Sequence, residues 1–307
     1  MRMRLVSSGY VNHNWIVQTA RGKFVVRVAA KDRLLRELQF EHEVLCNLRN
    51  LPYTVPLPIP NLAGNTVTLY QGHRVWIYKY LEGEIKKKVS VPVVRQLALA
   101  IARLHVATEH LQTKHKKDWP SGLSRKRLVL QLGKLRFRRK SAVASFYTKH
   151  VAEVQQYVRQ VHSEGYDLLR KQIIHSDIYL PNVLFKNNRI TAIIDFDNLR
   201  RDSPVRDIAC TAATFSKNGV MQLPMLQEYL RAYQTVRKLT KKELIYLPDL
   251  CLMEYAMAFY YFAYIIDKEP HRKVSLRQLQ GFRTAVTWIA NHKHEILQAA
   301  YSAVSSS

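Results

Sequence analysis

The stretch IIHSDIYLPNVLF occupies residues 173–185, and IIDFD follows after a short turn at residues 193–197. In both, an apolar run typical of a strand ends in polar residues. A strand, a loop that holds Asp177 and Asn182, and a second strand pair that ends in Asp195 would bring two carboxylates and one amide to a single point. Phosphoryl transfer needs such a set, because a carboxylate orients the attacking hydroxyl and oxygen ligands hold the magnesium that bridges the phosphates.

These spacings resemble the catalytic and metal loops of the protein-kinase-like small-molecule kinases, the group that contains aminoglycoside phosphotransferases, choline kinases and homoserine kinases. The similarity is greatest to the homoserine kinase and choline kinase branches. It implies an ATP- and magnesium-dependent enzyme in which Asp177 is the catalytic carboxylate and Asn182 and Asp195 are the magnesium ligands. It also implies that His175 packs the loop and that Asp207 holds this loop in place.

Each of these residues, taken singly, is most often a turn or helix-cap residue. Order and context favour the chemical interpretation, because apolar strands precede both loops and Asp207 lies near the start of a following helix. Two alternatives of other classes stay open. One is a catalytically silent, spore-coat-type binding or structural protein that has kept the fold. The other is a nucleic-acid or anionic-surface site in the basic stretch at residues 114–140.

The amino-terminal residues are similar to the nucleotide-covering hairpin of this family. SSGYVNHN at residues 7–14 precedes an apolar strand, and a turn at Gly22 leads into a second strand, so an antiparallel hairpin is predicted. The resemblance implies that Ser8, Gly9 and Asn12 approach the phosphates of ATP. A simple turn between strands would explain Gly9 and Asn12 equally well.

Arg27 aligns with the strand cation that contacts the α- and β-phosphates in this family, and a guanidinium can bridge two phosphate oxygens. Its orienting acid is expected on the following helix, where Glu41 is the first choice and Glu37 and Glu43 are the alternatives. For any one of the three, a solvent-facing helical glutamate is nearly as good an explanation.

The chain as a whole predicts an α+β, bilobal protein-kinase-like fold. A small antiparallel β lobe with one helix, residues 1–82, is expected to bind the nucleotide, and a larger, mainly helical lobe, residues 83–307, to carry the catalytic and substrate sites. The sequence YLEG before this boundary resembles the inter-lobe hinge, where backbone groups of Tyr80 and Leu81 would bind adenine. A terminal helix is predicted near residues 277–300.

Composition limits the location of the protein. The chain has 307 residues, 47% of them hydrophobic, and its three cysteines lack the paired spacing of a zinc site. The first residues lack the apolar run of a signal peptide, and the most apolar stretch, residues 252–266, is too short to span a bilayer. A cytoplasmic protein without membrane contact is therefore expected.

The charge balance limits the partners. Lys and Arg number 48 against 23 Asp and Glu, a net charge of +25, and the stretch from Lys114 to Lys140 carries +10 of it. A solvated basic helix face is expected there, and nucleic acid is disfavoured, because the interleaved leucines suit a packed helix better than a platform for bases. The expected partners are ATP and a small hydroxylated substrate such as homoserine or an amino sugar. A polycationic aminoglycoside is disfavoured, since the positive charge would repel it.

Overall fold

The computed structural model describes residues 2–6, 12–117, 124–268 and 275–305. The first part of the chain forms an antiparallel sheet and one helix. Its elements are β1 (Arg2–Val6), β2 (His13–Thr19), β3 (Gly22–Val28), α1 (Leu35–Asn47), β4 (Thr68–Tyr70) and β5 (His73–Lys79). The strands lie in the order β1-β2-β3-β5-β4, and all neighbours are antiparallel. The predicted small β lobe with one helix is thus confirmed.

One face of this sheet is covered by α1. The strand register places Arg27 opposite Trp76 and Val25 opposite Tyr78, and all four side chains are buried. An aromatic contact with 4.6 Å between ring centroids joins His42 of α1 to Trp76. Because side chains alternate between the faces of a strand, Arg27 points to the same covered face as Val25.

The second part of the chain is mainly helical, as expected. Its helices are α2 (Val91–Thr108), α3 (Arg125–Lys134), α4 (Ala142–Arg159), α5 (Val205–Ala212), α6 (Leu223–Gln234), α7 (Lys241–Leu244), α8 (Leu247–Lys268), α9 (Leu276–Asn291) and α10 (Lys293–Ser305). Its short strands are β6 (Glu84–Ile85), β7 (Gln172–Ile174), β8 (Val183–Lys186), β9 (Arg189–Ile193), β10 (Arg200–Asp202), β11 (Ser216–Lys217) and β12 (Val220–Met221). The order β6-β8-β9 makes a three-stranded sheet, β7 pairs with β10, and β11 pairs with β12.

Two stretches, Val91–Thr108 and Lys241–Lys268, are long and apolar enough to cross a membrane when judged by length and composition. Both are core helices of this lobe: α2 packs against α6, and α8 packs against α4, α5 and α9. Ile101 of α2 and Phe259 of α8 are fully buried in these contacts. Their hydrophobicity is therefore that of helices in a protein core.

The basic stretch contains α3, which packs against α4. Leu128 and Leu132 of α3 are buried, whereas Lys126, Arg127 and Lys134 are exposed. The helix is amphipathic, with its apolar side on the protein and its charges in solvent, as the leucine spacing predicts.

A chain connection and a backbone bridge are among the contacts that join the two parts of the chain. The chain passes from β5 to β6 through residues 80–83, and β6 pairs with β8 of the larger part. Thr54 also joins β9 through an isolated parallel bridge. In this bridge the Thr54 N–H donates to Thr191 O (2.8 Å), and the Ile193 N–H donates to Thr54 O (3.1 Å).

The carboxyl-terminal region differs from its prediction. In place of one helix near residues 277–300, α9 ends at Asn291 and α10 begins at Lys293. His292 between them has φ −125° and ψ 25°, outside the helical range, and its Nδ1 lies 2.7 Å from Trp288 O. The spacing of buried residues continues in phase across the break, so periodicity alone does not reveal it.

Candidate active site

The predicted catalytic loop, residues 175–182 and called the catalytic loop below, connects β7 to β8. It turns at Ser176, where φ is 65°, and closes in a 3-10 turn, Leu180–Asn182. The turn brings Asn182 back to Asp177: Asn182 Nδ2 donates to the main-chain oxygen of Asp177 (2.8 Å) and to its Oδ2 (3.3 Å). The Asn182 amide nitrogen is thereby committed to the loop, and its amide oxygen is the atom that can bind a cation.

Asp207, near the start of α5, holds the first residues of the catalytic loop through hydrogen bonds. It is fully buried and accepts hydrogen bonds from the main-chain N–H groups of His175 (2.9 Å) and Ser176 (2.6 Å). His105 Nε2 of α2 lies 3.0 Å from the same carboxylate. Burial opposes ionisation of Asp207, but its interactions with His105 and His175 together outweigh burial and lower the pKa of Asp207. This contact supports the holding role that the sequence predicts for Asp207.

The predicted metal loop, residues 194–198 and called the metal loop below, follows β9 and lies against the catalytic loop. The Ile194 N–H donates to Asn182 O (2.9 Å), and His175 Nε2 lies 3.1 Å from Ile194 O. The ring of His175 packs on Phe196 with 4.5 Å between centroids, so His175 is a packing residue between the loops. Asp195 has φ 65° and a side chain that is 41% exposed, which leaves its carboxylate accessible to solvent.

Asp177 is enclosed by amide donors and by other acids. Asn198 Nδ2 donates to Asp177 Oδ2 (3.2 Å), the same oxygen that Asn182 contacts. Burial is the main cause of a raised pKa for Asp177, and the charge of Asp195 adds to it, so that the pKa is about 8 although the Asn198 hydrogen bond lowers it. With a pKa of about 8 this carboxyl group is largely protonated at neutral pH, so it can accept a proton there only when its pKa is lowered.

Arg27 reaches the metal loop from β3. Its Nη2 lies 2.8 Å from Asp195 Oδ1 and 2.7 Å from Asp197 Oδ1, and its side chain is almost fully buried. Burial opposes the charged form of this guanidinium, but the charges of Asp197 and Asp195 outweigh that penalty and raise the pKa of Arg27. The Arg27 guanidinium, which is predicted to bind phosphate, is therefore charged and lies beside Asp195, the predicted metal ligand.

Glu41 is placed differently from the expectation. In the described part of the chain its ion pair is with Arg33, at 2.7 Å between Nη2 and Oε2, and not with Arg27. Arg33 lies in the connection between β3 and α1 and also contacts Asp197 Oδ1 (3.1 Å). Glu41 therefore acts on Arg27 through its charge and through Arg33, because Arg33 and Arg27 share the Asp197 carboxylate.

Asn12 lies beside the same carboxylate. Its Nδ2 donates to Asp197 Oδ2, and its Oδ1 accepts a hydrogen bond from the Ala30 N–H (3.1 Å). Asn12 is buried, so its side chain ties the start of β2 to the metal loop. Ser8 and Gly9, the other two residues predicted to cover the phosphates, lie outside the described residues.

Tyr80 and Leu81 lie in the predicted hinge between the lobes, and both are half-buried. The Tyr80 N–H donates to Lys23 O (2.9 Å), which extends the pairing of β5 with β3. Gly83 follows with φ 151°, and a Cβ atom there would lie 2.6 Å from Thr191 Oγ1 and 2.7 Å from Leu184 Cβ. The chain can therefore pass this point only without a side chain.

Three residues of the site were not predicted from the sequence. Asn198 follows IIDFD directly, and its polar character next to two acids was the available signal. Arg33 could have been suspected from its spacing to Glu37, which it contacts at 3.6 Å. Lys117, whose Nζ donates to the main-chain oxygen of Asp197, lies in a stretch that was expected to be solvated, and no local signal separates it from its neighbours.

The donor set suits magnesium. The described residues contain no group of three or more His, Cys, Asp or Glu side chains that could enclose a metal ion. Asn182 and Asp195 instead offer one amide oxygen and one accessible carboxylate. Mg²⁺ is commonly held by one or two such oxygens, and water and phosphate complete its coordination. The residues present therefore fit a magnesium ion that arrives with a nucleotide.

The amino-acid sequence is similar to those of known kinases. The homoserine kinase of Sinorhizobium fredii is 26% identical over 247 residues, which cover 80% of this chain and 73% of that protein. The homoserine kinase of Afipia carboxidovorans is 26% identical over 249 residues, with the same coverage.

Solved structures show the same fold. An amicoumacin kinase in complex with AMP-PNP and Ca²⁺ superposes with a TM-score of 0.67 at 15% identity, over 94% of this chain and 88% of that one. An aminoglycoside phosphotransferase from Alicyclobacillus acidocaldarius gives a TM-score of 0.66 at 14% identity, over 99% and 93% of the two chains. The model of the phosphotransferase enzyme family known as APH matches residues 2–240, which is most of the chain. This chain therefore belongs to the APH phosphotransferase family of ATP-dependent kinases.

Proposed function

We propose that this kinase transfers the γ-phosphoryl group of ATP to a hydroxyl group of a small metabolite with the help of Mg²⁺. The observation that carries the proposal is the convergence of Asp177, Asn182 and Asp195. Asn182 Nδ2 contacts Asp177 at 3.3 Å, the main chains of the two loops are joined beside Asn182, and Arg27 reaches Asp195 at 2.8 Å. A proposed base, proposed oxygen ligands and a proposed phosphate-binding cation are thus linked by direct contacts, which supports the proposal.

Asp177 is the proposed catalytic carboxylate. It would accept the proton of the acceptor hydroxyl while the hydroxyl oxygen bonds to the γ-phosphorus and the bond from that phosphorus to the bridging oxygen of ADP breaks. The charge of Asp195 is one cause of the raised pKa of Asp177. Neutralisation of Asp195 by a bound cation would therefore favour the ionised, proton-accepting form of Asp177.

The nucleotide contacts are proposals of the same kind. Asn182 and Asp195 would hold Mg²⁺, which bridges the phosphates and neutralises their charge. Arg27 would bind phosphate oxygens, since it is charged and already lies at the metal acids. The remaining predicted contacts are Ser8, Gly9 and Asn12 over the phosphates and the backbone of Tyr80 and Leu81 at the adenine.

The acceptor is proposed to be homoserine, an amino sugar or a similar hydroxylated metabolite. The sequence relatives named as homoserine kinases, which are 26% identical to this chain, support a small hydroxylated amino acid. The net charge of +25 disfavours a polycationic acceptor, because long-range repulsion would slow its approach.

A catalytically silent relative is the second candidate, and one contact favours it. Arg27 Nη2 lies between Asp195 and Asp197, so a protein cation pairs with the acid that would hold the metal. A silent protein would keep this pair when MgATP is added. A screen of hydroxyl acceptors with coupled detection of ADP separates the two, with Asp177→Asn as the control. Acceptor-dependent ADP formation that the variant loses supports the kinase, and its absence across the screen supports the silent protein.

A further inference from the structure

Asp197 is the point at which four segments of the chain meet. Arg27 Nη2 of β3 lies 2.7 Å from Asp197 Oδ1, and Arg33 Nη1 of the following connection lies 3.1 Å from the same oxygen. Asn12 Nδ2, at the start of β2, donates to Asp197 Oδ2. Lys117 Nζ, from the segment after α2, donates to the main-chain oxygen of Asp197. One residue of the metal loop thus receives donors from the small lobe and from the larger one.

Two of these donors extend the contact further. Arg33 also binds Glu41 (2.7 Å) and Glu37 (3.6 Å) of α1, so α1 is linked to Asp197 through one guanidinium. Asn12 also accepts the Ala30 N–H (3.1 Å), which fixes the two ends of the β2-β3 hairpin to each other. Contacts with the Asp197 carboxylate therefore help to fix the positions of both the sheet and α1.

Asp197 and Asp195 differ in how accessible their carboxylate oxygens are to a metal ion. The Asp195 side chain is 41% exposed and contacts Arg27 through Oδ1, whereas the Asp197 side chain is 14% exposed. Both carboxylate oxygens of Asp197 are occupied, Oδ1 by two guanidiniums and Oδ2 by an amide. A metal ion at Asp197 would have to displace charged donors in a buried place, where an unpaired cation is costly. The geometry therefore separates the roles of the two acids.

Resting on the proposed function, we propose that Asp197 is a positioning residue that holds Arg27, Asn12 and Arg33 in the arrangement that receives the phosphates of ATP, and that it is not a second metal ligand. When a cation occupies Asp195, Arg27 loses one of its two carboxylate partners and keeps the other. We therefore expect Arg27 to stay beside the metal loop throughout nucleotide binding.

The test compares Asp197→Asn with Asp195→Asn, two variants that each remove one negative charge at sites two residues apart. The affinity for ATP is measured by calorimetry for the full chain, once in EDTA and once in Mg²⁺, so that no acceptor is needed. Asp197→Asn is expected to raise Kd about tenfold in both conditions and to leave the ratio of the two values unchanged. Asp195→Asn is expected to bring the ratio close to one, because the Mg²⁺ ligand is lost.

The sign of the change in EDTA is informative. Loss of a negative charge near the phosphates should, by Coulomb's law alone, tighten the binding of ATP. Weaker binding by Asp197→Asn therefore requires that the donors have moved. Tighter or unchanged binding, or a collapse of the Mg²⁺ ratio like that of Asp195→Asn, would overturn the proposal.

Arg33→Lys provides a second variant if Asp197→Asn does not fold in a thermal unfolding assay, because it keeps the positive charge but lacks the guanidinium fork that contacts Asp197 and Glu41 together. It should weaken ATP binding in EDTA and keep the Mg²⁺ ratio, and unchanged affinity would overturn the proposal. Where both variants fold, the double variant should bind ATP no more weakly than Asp197→Asn, since both act through one contact, and multiplied losses would also overturn it. If the wild type binds ATP normally but phosphorylates none of the acceptors in the screen, that result contradicts the proposed phosphotransfer function and not the proposed role of Asp197.

Discussion

Acid should destabilise the folded protein through His42, a buried histidine of α1. The residue is 3% exposed, its Nδ1 lies 2.8 Å from Thr66 Oγ1, and its ring packs on Trp76. Burial is the main cause of a lowered pKa for His42, and the charges of Arg33 and Arg27 add to it, so that the pKa falls from 6.5 to about 3. His42 is therefore neutral in the folded protein over a range in which the unfolded chain is charged.

The size of the effect follows from the two pKa values. Below about pH 6.5 the unfolded chain binds a proton at His42 that the folded protein does not bind until about pH 3. The contribution to stability is complete above this window and is lost as the pH falls through it. Each pH unit within the window costs about 1.4 kcal/mol, so the free energy of unfolding should fall by about 2 kcal/mol between about pH 7 and pH 5 through His42 alone.

Urea unfolding at several pH values across this range, for wild type and for His42→Asn, measures that contribution. Asparagine retains a nitrogen near the position of Nδ1 but does not titrate, so the variant should lose about 2 kcal/mol less than the wild type between about pH 7 and pH 5. His110→Asn is the matched control, because the His110 side chain is 85% exposed, and it should follow the wild type. Equal acid-induced losses in wild type and His42→Asn would refute the reasoning.

Three further substitutions test the site and the hinge. Asp177→Asn keeps an oxygen that can accept the amide hydrogen bonds but removes the base, so kcat should fall by about 10²–10⁴ while calorimetry finds ATP affinity within about threefold of wild type; near-normal turnover would point to a turn-capping role. Asp195→Ala should remain folded by circular dichroism and lose Mg²⁺-supported ADP formation, and retained activity would remove it from the metal site. Gly83→Ala should cost about 1–3 kcal/mol in thermal unfolding, because the new Cβ meets Thr191 and Leu184, and an unchanged melting temperature would contradict the described close approach.

The catalytic loop could be predicted from the sequence because its structure is local. As the two apolar runs predict, a strand precedes each loop: β7 (Gln172–Ile174) ends just before His175, and β9 (Arg189–Ile193) ends two residues before Asp195. The signals that predict it are apolar runs, a proline at the turn and acidic residues at strand ends. Each of these signals extends over only about five residues. The backbone that carries Asp177, Asn182 and Asp195 is set by these short-range preferences.

The ion pairs around that loop could not be predicted in the same way. Lys117 reaches Asp197 across 80 residues of sequence, and Arg27 reaches Asp195 across 168. Glu41 was assigned to Arg27 by family resemblance, but Arg33 lies closer and binds it. A helical pattern shows which face of α1 is buried but not which of several nearby cations a carboxylate selects, since that choice depends on how the lobes pack.

The bridge at Thr54 determines which substitutions this part of the chain can accept. Thr54 is exposed, and the atoms that connect it to β9 are its main-chain N–H and oxygen. A library that randomises this codon should therefore yield functional clones with nearly every side chain, while proline, which has no N–H to donate to Thr191, should be depleted. In a deep mutational scan, proline should therefore be the one strongly depleted amino acid at position 54, and nearly all others should be tolerated.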